Sequence, residues 1–132
     1  MRVRNLFILN TIVFGIFGIG LMIAPAQIMD FLYDASTDAT GIYGIRSWAA
    51  AAFGSATLSW LVRNLKASDA RRAIVVAFFV MYTLGFIIDF TFQLSGVFNA
   101  FGWSSPIIAG FFGSAFGYFT FAKPKQEVAN RD

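Results

Sequence analysis

The stretch Ala73–Ile88, AIVVAFFVMYTLGFII, decides the fold of this chain because it is long, apolar and uncharged. Three other stretches have only Asn, Gln, Ser and Thr as polar interruptions: Leu6–Ala24, Ser47–Val62 and Val97–Ala122. A bilayer core of roughly 30 Å needs about 20 helical residues, and only helices or closed barrels cross it with their backbone hydrogen bonds satisfied. The alternating pattern of barrel strands is absent. We therefore predict four transmembrane helices.

The overall composition agrees with a membrane location. Apolar residues make up 58% of the chain and charged residues 13%, which is more apolar surface than a soluble domain of 132 residues can bury. Four spans, at about residues 6–24, 41–62, 73–95 and 105–122, use the whole chain together with their short connections. We predict one transmembrane domain over residues 1–132, an all-α four-helix bundle with an up-down-up-down arrangement.

Local signals set the expected ends of the spans. Thr40 is a plausible N-cap for the second span, and Ser68 for the third. Gly96 is well placed to end the third span. Ser105 followed by Pro106 predicts a cap and first helical position for the fourth.

The first span carries a feature of secreted proteins. Arg2 and Arg4 precede it, and it ends at Ala24-Pro25-Ala26, a small-x-small pattern typical of signal cleavage. Because the apolar run is longer than the usual core of a signal peptide, we expect it to be retained as a span.

The segment between the first two spans is amphipathic. It has apolar side chains on one side and, at a spacing of four, Asp30, Asp34 and Asp38 on another. This pattern predicts a short external helix on the membrane surface, with Pro25 in its first turn. The carboxylates could attract a divalent cation, but we favour a solvated acidic face and predict no metal site.

The charges predict a topology. With both termini in the cytoplasm, nine of the ten basic residues are cytoplasmic: Arg2, Arg4, Arg63, Lys66, Arg71, Arg72, Lys123, Lys125 and Arg131. The connections on the outside hold acidic residues and no Lys or Arg, in accord with the positive-inside rule. Topology also accounts for the net charge of +3, so we predict no nucleic-acid partner.

Cys and His are both absent from the chain. Their absence excludes disulfide relays, thiolate nucleophiles and Cys-ligated clusters, and it removes the commonest general base and haem ligand. The spans also lack paired carboxylates. We predict that the protein is not an enzyme and has no cofactor.

Two charges fall inside the spans, and they are opposite in sign. Asp89 lies roughly 24 Å along the third span and Arg46 roughly 9 Å into the second, which gives them a similar depth on consecutive helices. An isolated charge costs about 2.5–3.5 kcal/mol at mid-bilayer, so we predict an ion pair facing the bundle interior. Gln93 lies one turn beyond Asp89 on the same face.

Three interpretations of this site stay open. The Arg46–Asp89 pair could be structural, fixing the register of two spans. It could instead belong to a polar pocket, open to the outside, in which Arg46 binds an anion, head group or small substrate. In the third interpretation Arg46 only extends to the lipid head groups.

Small residues predict the faces where helices approach closely. They include the pairs Ala50-x-x-x-Gly54 and Gly113-x-x-x-Gly117, and the full set is Gly15, Gly18, Ala50, Gly54, Gly110, Gly113 and Gly117. These faces serve packing inside one bundle or association with a second subunit. Asn10 and Thr11 could bond to a neighbouring span. The third span is bulkier and is expected to offer more surface to lipid or a partner; its large aromatic side chains are Phe78, Phe79, Tyr82, Phe86, Phe90 and Phe92.

Four features form a pattern along the whole chain: the Gly-rich first span, Arg46 with the Ala-rich run after it, the Arg71-Arg72 hinge and the segment Leu94–Trp103. In these features the chain resembles small bacterial four-span proteins of the DoxX-like kind. The resemblance implies the fold and a bacterial inner-membrane location, and it transfers no functional residue.

The function predicted from these features is that of a non-enzymatic accessory or scaffold subunit. Its partners would be membrane lipids and either other membrane subunits or further copies of itself. The alternative is a binder or transporter of a small molecule, lipid or ion at Arg46, Asp89 and Gln93.

Overall fold

The structure, a computed structural model, describes residues 2–33 and 36–121, without the side chain of Leu32, and every secondary-structure element in these ranges is a helix. The helices are α1 Val3–Ile23, α2 Pro25–Tyr33, α3 Ala39–Val62, α4 Asp69–Leu94, a 3₁₀ helix at Ala100–Trp103, and α5 Ser104–Phe121. No strand occurs within these ranges, so the all-α prediction is confirmed. Predictions that used Asp34, Ala122, Lys123, Lys125 and Arg131 lie outside the described residues.

Three predicted helix ends are confirmed. α2 begins at Pro25. Ser68 caps α4, since its hydroxyl accepts a hydrogen bond from the Arg71 backbone N–H at 3.3 Å. Gly96 follows the end of α4 with φ +72°, a backbone conformation that glycine adopts without strain.

Two predicted N-caps are wrong, although both helices begin within two residues of the predicted positions. α3 begins at Ala39 rather than after Thr40, because the Asp38 carboxylate caps it by accepting from the Gly41 N–H at 2.7 Å. α5 begins at Ser104 rather than at the Ser105-Pro106 pair. The 3₁₀ helix before it has its own cap, Asn99, and runs directly into α5.

The four long helices form two antiparallel pairs, α1 with α3 and α4 with α5. The pairs meet through aromatic side chains that all pack in one cluster: Phe7, Phe14, Phe78, Tyr82, Phe112 and Phe116. Ring centroids in this cluster lie 5.1 Å apart for Phe14 and Tyr82, and 5.7 Å apart for Phe7 and Phe116. α1 therefore packs on α3 with one face and on α4 and α5 with another.

The predicted small-residue positions divide into two groups. Gly15 and Gly18 face α3, while Gly110, Gly113 and Gly117 face α4. A Cβ atom added to Gly18 would lie 3.0 Å from the Phe53 backbone nitrogen, so any other residue would push α3 away from α1. Ala50 and Gly54 differ, since Ala50 is exposed and a Cβ on Gly54 would meet nothing within 4 Å.

Much of the apolar surface is exposed. By length and composition, α1 and α4 are the helices of the described residues that could cross a membrane, and only 33% and 17% of their apolar windows are buried. α3 contains Arg46 and many small residues, and α5 has 18 residues rich in Gly and Ser. Large side chains such as Ile23 and Phe121 are about three-quarters exposed, at 75% and 74%. So wide an apolar surface is characteristic of a protein that contacts lipid or a partner.

Candidate functional site

Asp89 forms part of a polar cluster at the end of the molecule where α2 lies. Its carboxylate accepts a hydrogen bond from the Ser105 hydroxyl in the first turn of α5, at 2.7 Å. The side chain is half-buried. Asp89 therefore helps to join α4 to the start of α5.

Tyr33, the last residue of α2, lies over the same cluster. Burial raises the pKa of the Tyr33 phenol, the Ser105 hydroxyl opposes that shift, and the Asp89 carboxylate adds to it. The Tyr33 ring also packs on Phe98, with centroids 4.7 Å apart. These contacts hold α2 against the chain between α4 and α5.

Gln93 lies one turn further along α4 and is only 7% exposed. Its side-chain nitrogen donates to the Asn99 carbonyl at 3.2 Å. Its oxygen Oε1 is buried, has no hydrogen-bond partner among the described residues, and faces Gly102 of the 3₁₀ helix. Gln93 thus fastens this loop to the end of α4.

Arg46 does not join the cluster, and the predicted Arg46–Asp89 ion pair does not form. Asp89 faces Ser105 of α5, whereas α3 packs on α1 and leaves Arg46 exposed. Similar depth on two helices was a poor guide because it does not specify which way each side chain points. No described acidic side chain pairs with Arg46.

Arg46 instead lines an open groove at the same end of the molecule. The groove has a volume of about 380 Å³ and lies between the end of α1 and the first half of α3. Its lining residues are Met22, Ala39, Ile42, Tyr43, Arg46, Ser47 and Ala50. One cation and two hydroxyl groups therefore border an otherwise apolar surface.

A second polar cluster lies deep in the helix packing, centred on Asn10. The Asn10 amide is fully buried and donates to the Ser59 hydroxyl of α3 at 2.8 Å. Its carbonyl oxygen accepts a hydrogen bond from the Tyr82 hydroxyl of α4. Thr11 beside it donates to the Ala56 carbonyl at 3.2 Å. The expected bonding of Asn10 and Thr11 to a neighbouring helix is confirmed.

The sequence contained a partial signal for this cluster. Ser55 and Ser59 are four residues apart in α3 and so share one face, opposite Asn10. The surface that the third span was expected to offer is confirmed for α4 as a whole, since only 17% of its apolar window is buried. The core positions of Tyr82 and Phe78 within it were missed. Each is 4% exposed and lies in the core.

The described residues contain no group of three or more acidic side chains placed to hold a metal ion. Comparison with protein-family models, curated proteins and solved structures gives no match. The resemblance to DoxX-like proteins stays a prediction. The features of the described residues that bear on function are these two clusters, the groove and the exposed helix faces.

Proposed function

We propose that this chain is a non-enzymatic, four-span protein of the bacterial inner membrane with both termini in the cytoplasm. In this proposal it acts as a scaffold or accessory subunit and assembles through the uncovered face of α3. The membrane location is supported by the exposed apolar surface of α1 and α4. The topology is supported by the positive-inside distribution of Lys and Arg.

The main support for assembly through α3 is the difference in packing between the two small-x-x-x-small pairs. Gly113 and Gly117 are used inside the chain, where they allow α4 to approach α5. Ala50 and Gly54 have the same spacing but are both exposed, and a Cβ atom added to Gly54 would meet nothing within 4 Å. In lipid, helices associate by close packing of small residues, so an unoccupied pair of this kind supports a docking surface.

A second copy of the chain is the occupant that this surface favours. Helices with small-x-x-x-small faces approach closely and cross at the small residues. Two copies with the same topology present α3 in parallel, so the two Gly54 positions can meet on a two-fold axis normal to the membrane. A different membrane subunit would use the same face, and the test below distinguishes the two.

Cysteine crosslinking in native membranes tests the pairing directly, because the chain has no Cys of its own. Single substitutions Ala50→Cys and Gly54→Cys are expected to give disulfide-linked dimers of the chain when a mild oxidant is added to the membranes. Val80→Cys is the control, since Val80 is an exposed residue of α4 away from this face. Equal crosslinking of Val80→Cys would indicate random collision and contradict the proposal.

Native mass spectrometry of gently solubilised protein then identifies the partner. We expect a mass of two chains of 14.5 kDa, and a single chain for Gly54→Leu. Gly18→Leu is the matched variant, because it obstructs α3 inside the chain and should destabilise the fold itself. A fixed ratio with a different protein would make the chain an accessory subunit of that complex. A single chain at every concentration would refute assembly through this face.

The alternative function, a binder or transporter with Arg46, Asp89 and Gln93 in one site, has weaker support. Asp89 and Gln93 contact the start of α5 and the loop before it, whereas Arg46 lies in a separate groove on α3. The three side chains therefore do not converge on one ligand.

A further inference from the structure

The groove beside Arg46 combines a cation with hydrogen-bond donors. Tyr43, Arg46 and Ser47 are three and four residues apart, which places them on one side of α3. Arg46 forms no ion pair with a described acidic residue. A guanidinium group with two neighbouring hydroxyl groups is suited to the oxygen atoms of a phosphate.

The rest of the groove is apolar. Met22 of α1 and Ile42 and Ala50 of α3 line it beside the polar side chains. A volume of about 380 Å³ is within the range of small-molecule sites, yet the groove is open rather than enclosed. It therefore suits a ligand that has both a phosphate and an apolar part, and that reaches the groove from the side.

The position of the groove relative to the membrane selects such a ligand. Arg46 comes seven residues after the start of α3, about 10 Å along the helix axis. In the proposed topology this depth is just below the outer head groups, and the long Arg side chain can extend upward to the phosphate level. Acyl chains of the outer leaflet lie directly beside the apolar part of the groove.

We propose that this groove binds the head group of an anionic phospholipid of the outer leaflet. Arg46 contacts the phosphodiester, Tyr43 and Ser47 donate hydrogen bonds to it, and the first acyl carbons lie over Met22. The proposal rests on the membrane location proposed above, but it does not require α3 to pair with a second copy. Gly54 lies about 12 Å further along the helix, toward the other end.

The test is lipid retention in native mass spectrometry. The protein is released from bilayers of phosphatidylcholine with a minor fraction of phosphatidylglycerol. We expect one phosphatidylglycerol to be retained per chain in preference to phosphatidylcholine. Arg46→Gln should weaken this retention roughly tenfold or more, since hydrogen bonds to a charged group are the strong ones. Arg46→Lys should retain part of it.

Arg63→Gln is the matched control, because Arg63 stacks on Trp60 at the opposite end of α3, with its guanidinium carbon 3.4 Å from the ring centroid. It should leave the retained lipid unchanged. Equal retention by the wild type and Arg46→Gln would overturn the proposal. Displacement of the retained lipid by millimolar inorganic phosphate would also overturn the proposal, since the groove would then be a site for free anions.

A second variant covers the case in which Arg46→Gln fails to insert. Tyr43→Phe with Ser47→Ala keeps the charge and removes both hydroxyl donors. Lipid selectivity should fall with the fold intact, and unchanged selectivity would count against the site. Gly54→Leu separates this proposal from the proposed pairing of α3. If the variant is a monomer that still retains phosphatidylglycerol, the groove binds lipid without the dimer. If the variant loses both the dimer and the lipid, lipid binding depends on the dimer, and the groove of a single chain is not the site.

Discussion

Tyr82 of α4 donates a hydrogen bond to Asn10 of α1, and the Asn10 amide donates in turn to Ser59 of α3. One side chain therefore joins three helices. Both Asn10 and Ser59 are completely buried, so water cannot replace a lost partner. This cluster is the main polar link between the α1–α3 pair and the rest of the molecule.

Removing the amide should cost more than removing either partner alone. Asn10→Ala is expected to lower the free energy of unfolding by about 1–2 kcal/mol and Tyr82→Phe by about 1 kcal/mol, in the range of interhelical bonds in membranes. The double variant should lose less than the sum, because both changes remove the same bond. Equilibrium unfolding in mixed micelles measures this coupling.

Thr57→Ala is the control for this cycle. The Thr57 hydroxyl is exposed and bonds only to the Phe53 carbonyl of its own helix, so its loss should have little effect. Additive effects of Asn10→Ala and Tyr82→Phe would mean that the two side chains stabilise the protein independently.

Arg46 and Asp89 should behave as independent sites. Arg46→Gln and Asp89→Asn are expected to be additive in the free energy of unfolding to within about 0.5 kcal/mol, because the two charges do not pair. A double-mutant cycle in one detergent measures the coupling. A coupling above about 1 kcal/mol, within the range measured for residues in contact, would restore the ion pair predicted from the sequence.

Gly102→Ala should loosen the loop between α4 and α5. A Cβ atom there would lie 2.6 Å from the Phe98 Cβ and would press on the Gln93 oxygen. We expect a loss of about 1–3 kcal/mol in thermal unfolding, as for other overpacked sites. Gly85→Ala is the matched control, since a Cβ at Gly85 has open space and Ala favours the helix. Equal stability of the two variants would show that the loop yields without cost.

The phenol of Tyr33 should titrate above its ordinary value near 10. Burial favours the neutral form, so the docking of α2 is at full strength below about pH 10 and is lost as pH rises through the raised pKa. The phenolate absorbance of the wild type minus that of Tyr33→Phe gives this titration. Asp89→Asn should lower the pKa of Tyr33, because it removes a neighbouring negative charge. Titration of Tyr33 at its ordinary value would mean that α2 does not bury it.

The sequence was sufficient to predict the long helices but not to predict which side of each helix faces the core. Long apolar stretches predicted the four long helices, and Ser68 and Gly96 marked the ends of α4 correctly. A helix that is apolar all round carries no periodic signal of which face is inside. The core position of Tyr82 was therefore missed.

The same limit explains why the predicted Arg46–Asp89 ion pair was wrong. Counting residues along a span gives a depth, and depth alone suggested that Arg46 and Asp89 meet. Their rotation about the helix axes depends on the choice of neighbours, α1 for α3 and α5 for α4, which follows from small residues such as Gly18 and Gly113. Several helices have such residues, so composition leaves more than one pairing open.

The pairing of α1 with α3 and of α4 with α5 has a consequence for biogenesis. Each pair consists of helices close together in the chain, so each can form as a local hairpin, and such short-range contacts assemble fastest. Asn10 already has Ser59 as a partner within the first hairpin, before Tyr82 has been synthesised. The most buried amide of α1 is thus never left wholly without a hydrogen bond while the second half of the protein is still being made.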